Sequence, residues 1–284
     1  MELAHRYYKL SGKVEPMGFI LMILFGLLTS TILGIIYAYI IYYLPFIYLN
    51  FFITILYGAA IGLSVGYGGK IGLSRSAKTY MILGLLFGLL GEYVQWSQTV
   101  SILSSGEVSI ASPAHLFSVL KIIASEGAWS IFGWTPRGVA LYLIWLIEGG
   151  MIVGIAALMS MTVINGKVFC EKCKKWLTVS RVLGPYQMVS DLGGLVVQFE
   201  NGNFDSLGNL ELATDADTTY LTVDLSMCAV CMQMYLLTVN AVQLTYDSEG
   251  KEDKNVTPIV ENLIIDRTTY GMLRKLDSTR PVTE

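Results

Sequence analysis

Apolar residues fill four long stretches of the chain before position 165, and after it the pattern breaks into short alternating or helically spaced runs. A membrane-spanning helix needs about 20 predominantly apolar residues. Residues 17–44, 46–67, 80–103 and 139–163 meet that length, so each predicts a transmembrane helix. Pro45 stands between the first two, where a helix can end without losing an internal hydrogen bond. Tyr42, Tyr43, Tyr48, Trp96, Trp134 and Tyr142 gather near the predicted interfaces, as aromatic belts do. In the loop 104–138, Ser112-Pro113 is a helix-start signal, followed by apolar Leu116, Phe117, Val119, Leu120, Ile122 and Ile123 and ended by Gly127. This predicts a short interfacial helix, which either covers the bundle top or serves as a substrate lid.

Beyond Asn165-Gly166 the pattern is that of a small α+β domain. Lys167–Cys173 reads as a strand entering a turn. Leu192, Leu195, Val196 and Phe199 keep helical spacing up to a stop at Gly202, and Phe204, Leu207 and Leu210 suggest a second short helix. Tyr220–Ser226 alternates like a half-buried strand, Tyr235–Tyr246 gives one further strand or two, and Asp266 is placed to cap a last helix running to Leu276.

Charge sharpens this division. Of the 284 residues 54% are hydrophobic and only 14% charged, and between Glu15 and Lys70 there is no charged residue at all. The first apolar stretch is about twice the length of the 7–15-residue core of a signal peptide and ends in bulky residues, so it is expected to stay in the membrane. Lys and Arg alternate between connections. The arm carries Arg6, Lys9 and Lys13, the next turn none, and the second connection Lys70, Arg75 and Lys78. The loop 104–138 carries only Lys121 and Arg137, and the segment after the fourth span Lys167, Lys172, Lys174, Lys175 and Arg181. By the positive-inside rule both termini lie in the cytosol of a multi-pass cell (inner or plasma) membrane protein. The expected organisation is a cytosolic arm (1–16), a four-helix transmembrane domain (17–164) and a cytosolic domain (165–284).

Glycines recur one turn apart at Gly58, Gly62 and Gly66, at Gly84 and Gly88, and at Gly150 and Gly154. Such spacing lets helix backbones approach closely in lipid, either within one bundle or between copies in a homo-oligomer.

The four cysteines form two identical motifs, Cys170-Glu-Lys-Cys173 and Cys228-Ala-Val-Cys231. Two Cys-x-x-Cys knuckles supply the four thiolates of a tetrahedral zinc site, and a reducing cytosol favours metal over disulfides. Zinc is therefore the expected cofactor, structural because four thiolates leave no open position. The 54 residues between Cys173 and Cys228 exceed the roughly 15–20 of a common ribbon, so the two predicted helices are read as an insertion. A membrane thiol oxidoreductase is the weaker alternative, since such an enzyme would need one such motif at a helix start, a context neither pair has.

Nucleic acid is not an expected partner. From Val182 to Gly250 there is no Lys or Arg, whereas Asp191, Glu200, Asp205, Glu211, Asp215, Asp217, Asp224, Asp247 and Glu249 are present. Such a surface repels phosphate and suits a protein partner better, while the basic run Lys172–Lys175 suits anionic lipid headgroups.

Two acids fall inside the spans, Glu92 and Glu148, at similar depth, and Gln95 and Thr99 extend the Glu92 face. Intramembrane carboxylates point to a proton carrier or cation ligand in an ion-coupled transporter or channel subunit; the bland reading is a protonated pair joining helices. The only histidines, His5 and His115, read as surface residues, and no catalytic constellation is recognisable.

The run from Ser112 to Gly150, with Glu126-Gly127-Ala128-Trp129-Ser130-Ile131 and Leu143-Ile144-Trp145-Leu146-Ile147-Glu148, resembles a group of uncharacterised bacterial four-helix membrane proteins. The stretch Asn201-Gly202-Asn203-Phe204-Asp205-Ser206-Leu207 is similar to them as well. The resemblance implies a four-cysteine cytosolic domain after the last span and carries no activity. The combined expectation is an α-helical membrane bundle followed by a small zinc-ribbon-like α+β domain, non-enzymatic, that docks a protein partner.

Overall fold

The computed structural model describes residues 6–44, 46–108, 112–127, 129–130, 133–214 and 216–278. His5, Pro45, Ala128, Ile131 and Asp215 lie outside the described residues. The chain divides into two units, Ser11–Asn165 and a second made of Met1–Leu10 with Gly166–Glu284.

The first unit holds α1 (Pro16–Tyr43), α2 (Ile47–Ile71), α3 (Ala77–Leu103), α4 (Pro113–Glu126) and α5 (Val139–Thr162). Helices α1, α2, α3 and α5 are long and apolar enough to cross a membrane. α1 and α5 each pack against both α2 and α3. The second helix runs beyond its sequence-based end because Gly68 and Gly69 bring it against α1. A Cβ at Gly68 would stand 2.6 Å from the Leu21 carbonyl oxygen. α4 starts as expected, with the Ser112 hydroxyl accepting from the His115 N–H and Pro113 in the first turn.

Most of the recurring glycines are contacts within this bundle. A Cβ at Gly58 would lie 2.8 Å from the Ile152 carbonyl oxygen, and one at Gly84 would lie 2.6 Å from that of Ala156. Gly150 and Gly154 differ, since a Cβ at either meets nothing within 4 Å.

The turn between α2 and α3 contains an ion pair that the sequence reading missed. Arg75, only 2% exposed, reaches Glu15 at 2.9 Å, donates to the Ser11 hydroxyl at 3.3 Å and also donates to the Leu73 carbonyl. It is a buried, paired cation and not a solvated loop charge.

The second unit is built on a four-stranded antiparallel meander, β3 (Val179–Gln187), β4 (Thr219–Met227), β5 (Tyr235–Tyr246) and β6 (Glu252–Ile265). A two-stranded ladder, β1 (Phe169–Cys170) with β2 (Lys175–Trp176), precedes it. Helices α6 (Leu192–Glu200) and α7 (Asp205–Gly208) lie in the β3–β4 connection, and α8 (Arg267–Ser278) follows β6. The interval between the cysteine pairs therefore contains strands β2, β3 and β4 as well as the two helices. β4 alternates as its pattern predicts: Leu221, Val223 and Leu225 are fully buried, and with Phe199 and Leu207 they belong to the unit's core.

Residues of the arm complete this unit. Tyr7 bridges Leu263, the Tyr8 N–H donates to the Asn262 carbonyl at 3.0 Å, and the Ile264 N–H donates to the Arg6 carbonyl at 2.7 Å. The arm thus covers part of the β6 edge, whose free N–H and C=O groups would otherwise invite pairing with another chain. The Arg6 guanidinium donates to the Glu200 carbonyl. Tyr7 donates to the Glu200 carboxylate at 2.7 Å; burial and that carboxylate push its phenol up to about 12.

Candidate metal centre

Each cysteine pair occupies a tight turn set by a strand. β1 delivers Cys170 and turns through Glu171, Lys172 and Cys173 into β2; β4 ends at Met227 and delivers Cys228. The two turns share one backbone feature. The residue after the second cysteine takes a left-handed conformation in both, Lys174 at φ +50° and Met232 at φ +49°. That reversal sends each chain back antiparallel to its entry, with the Cys228 N–H donating to the Met234 carbonyl at 3.0 Å. The Lys172 ammonium crosses between the turns to the Gln233 side chain at 2.8 Å.

The four sulfurs lie within 4.8 Å of one another, and Cys170 and Cys231, from opposite turns, are 3.7 Å apart. A tetrahedral thiolate site with bonds of ~2.3 Å has sulfur–sulfur edges of roughly 3.8 Å. The arrangement can therefore hold a metal ion. Cys170 and Cys228 are buried, whereas Cys173 and Cys231 are partly exposed. Burial pushes the Cys170 thiol up, and burial with the neighbouring sulfurs pushes that of Cys173 up. At Cys228 burial works against ionisation, yet the N–H groups of Cys231 and Val230, together with hydrogen bonds from the Cys170 and Cys231 thiols, outweigh it and hold the thiol below its ordinary range. Four sulfurs crowded together favour an ion that removes their protons and shares their charge. Neither pair begins a helix, the setting that a dithiol redox motif uses to activate its thiolate.

Phe169 braces the first turn. Its ring packs edge-on against Trp176 at 5.0 Å, and its N–H and C=O both meet the Tyr8 phenol.

The acids after Val182 are in part structural. Asp191 accepts from the Gly194 N–H at 2.8 Å, Asp247 from the Glu249 and Lys251 N–H groups, and Asp224 from the Asn240 amide at 2.9 Å. Asp205, Glu211 and Glu249 are exposed.

Within the helical unit, the Gln95 amide donates to Glu92 Oε2 at 3.1 Å, which joins two of the predicted polar residues. Thr99 is not joined to them by its side chain, since its hydroxyl donates to the Gln95 carbonyl of its own helix at 2.8 Å. Glu148 meets a residue that sequence reasoning did not select: the Tyr37 phenol lies 2.6 Å from Glu148 Oε1 and 2.8 Å from the Thr54 hydroxyl. Tyr37 and Thr54 carried no signal, because a lone Tyr or Thr in a span is ordinary. Compared with family models, curated proteins and solved structures, the chain matches none of them.

Proposed function

We propose that this chain is a multi-pass membrane protein whose cytosolic domain is stabilised by structural zinc and docks a protein partner. The observation that carries the reading is the gathering of Cys170, Cys173, Cys228 and Cys231 within 4.8 Å. A tetrathiolate site favours zinc among the common ions and leaves no position open for substrate, so the site acts in folding and not in catalysis. When bound, the ion supplies cross-linking of two distant turns.

Membrane placement is supported by the four long apolar helices. Termini on one side are supported by the arm, whose residues before α1 pair with the domain after α5; an even number of crossings returns a chain to its starting side. The cytosolic side is supported by Lys70 and Lys78 in the α2–α3 connection and the lysines after α5. A basic protein surface is the partner that fits best. No Lys or Arg between Val182 and Gly250 offsets the acids of that segment.

The test uses the full chain purified in detergent. One zinc per chain, with thiols unreactive until a chelator is added, supports the reading. Reactive thiols that form a disulfide without metal would overturn it. Reversing Asp205, Glu211 and Glu249 to Lys should abolish native co-purification of a partner without loss of zinc; unchanged recovery would remove the docking claim.

A further inference from the structure

The hydroxyl chain beneath Glu148 has one proton too few. Three oxygen–oxygen contacts run in series, Glu148 Oε1 to Tyr37 at 2.6 Å, Tyr37 to Thr54 at 2.8 Å, and Thr54 to the Asn50 carbonyl at 2.8 Å. Each contact needs one hydrogen between its oxygens. A phenol and a threonine hydroxyl supply one each, and a carbonyl supplies none. Tyr37 and Thr54 are each 3% exposed, so water has little access to either. The third hydrogen must come from the carboxyl of Glu148 itself. With that proton in place every link is satisfied in one direction: Glu148 donates to Tyr37, Tyr37 to Thr54, and Thr54 to the Asn50 carbonyl.

A second carboxyl stands beside the first. A Cβ at Gly149 would lie 3.4 Å from Glu92 Oε2, which puts the Glu92 carboxyl against α5 one residue after Glu148. The two acids are close enough to repel one another when both are charged. Glu92 Oε1 is buried and accepts no hydrogen bond, although a carboxylate oxygen taken out of water ordinarily finds a donor. Among the described residues, the groups around the two carboxyls are therefore Tyr37 from α1 at Glu148, with Thr54 from α2 behind it, and Tyr57 from α2 with Gln95 and the Trp96 indole from α3 at Glu92. None of them carries a positive charge, so a proton is the cation at hand to relieve the repulsion.

We propose that Glu148 and Glu92 form one exchangeable proton-binding site inside the helix bundle, with Glu148 holding the proton and Tyr37 and Thr54 relaying its presence to α2. Loss of the proton to solvent leaves a carboxylate at Glu148. Tyr37 then turns to donate to Glu148, Thr54 turns to donate to Tyr37, and the Asn50 carbonyl loses its hydroxyl partner. One proton leaves and two hydroxyls reverse, so a charge change on α5 becomes a change in backbone hydrogen bonding on α2. The inference rests on the membrane placement proposed above, since lipid around the bundle keeps the carboxyls from bulk water.

The test is pH-difference infrared spectroscopy of the full chain in phosphatidylcholine vesicles, following the C=O stretch of a protonated carboxylic acid. The expected result is a band that disappears reversibly as pH rises, is absent from Glu148→Gln and is shifted by Tyr37→Phe. Glu92→Gln should lower its midpoint by about one pH unit or more, because the repelling charge is gone. A band that never titrates while the protein stays folded would reduce the pair to static interhelical bonding and overturn the proposal. A band that survives in Glu148→Gln would overturn it too. If Glu148→Gln does not fold, the Tyr37→Phe shift and the Glu92→Gln midpoint decide by themselves. Release of the chain from vesicles by alkaline carbonate would fail the membrane placement and the proposal with it; a retained chain without a titrating band would fail the proton site alone.

Discussion

The Tyr8 phenol closes a two-way hydrogen bond with the backbone of Phe169, accepting from its N–H and donating to its C=O, each at 3.1 Å. Phe169 is the residue before Cys170, so a side chain from the arm fixes the strand that delivers the first cysteine. Tyr8→Phe removes one oxygen and leaves two backbone groups without that partner. The expected cost is about 1–3 kcal/mol of stability in the second unit. It should appear in chemical denaturation of the full chain and in faster loss of any bound metal to a chelator; an unchanged rate of loss would uncouple the arm from the cysteine cluster.

A closed four-thiolate site also predicts equivalence between the two turns. Cys173→Ser and Cys231→Ser, one from each turn, should both lower metal occupancy, and both should expose the remaining thiols to alkylation. Metal analysis with thiol counting reads this directly. A full complement of metal in either variant would show that its cysteine is not a ligand.

The four long helices and the paired cysteines were legible because each is a local pattern: an apolar run of sufficient length, and a two-residue gap. β4 and β5 were legible for the same reason: both are interior strands of the meander, β4 alternating clearly and β5 an apolar run buried through most of its first eight residues. Besides the two-residue β2, the strands with no signal in the sequence are β3 and β6, the two edges of the four-stranded sheet. Each contains a proline, Pro185 and Pro258, which interior strands rarely tolerate, and the first half of β6 is polar and exposed. The compact ribbon with a helical insertion gave way to a four-stranded sheet on that account. The arm's place in the second unit was illegible because its pairing with β6 joins residues more than 250 positions apart, with no local signature. Tyr37 escaped notice similarly, as its partner on α5 lies far along the chain.

Asp266 caps α8, accepting from the Thr269 N–H at 2.7 Å, and its hydrogen bonds with Thr269 hold its carboxyl below the ordinary range. A depressed folded value means the cap's contribution is present above the unfolded carboxylate range and fades as pH falls through the folded one. Protection of the α8 amides, taken relative to the intrinsic exchange rate at each pH, should therefore fall in acid. Asp266→Asn, which keeps an acceptor without the charge, should flatten that dependence. An identical acid profile in the variant would assign the fraying to another group.

The glycines separate contacts within the bundle from a face left open. Gly84→Ala places a methyl about where the Ala156 carbonyl stands, 2.6 Å away, and backbone on both sides leaves little room to relax. Overpacking of this kind costs ~1–3 kcal/mol, so the variant should melt lower in detergent. Gly150 and Gly154 have nothing within 4 Å, so Gly150→Ala should leave melting unchanged or raise it slightly, by up to about 1 kcal/mol from helix propensity. Gly150→Leu then tests the homo-oligomer. If two copies meet along this stripe, the larger side chain separates them, and the mass measured by light scattering in detergent falls with no loss of helix. Constant mass in Gly150→Leu and Gly154→Leu would mean that lipid, and not a second copy, faces these glycines.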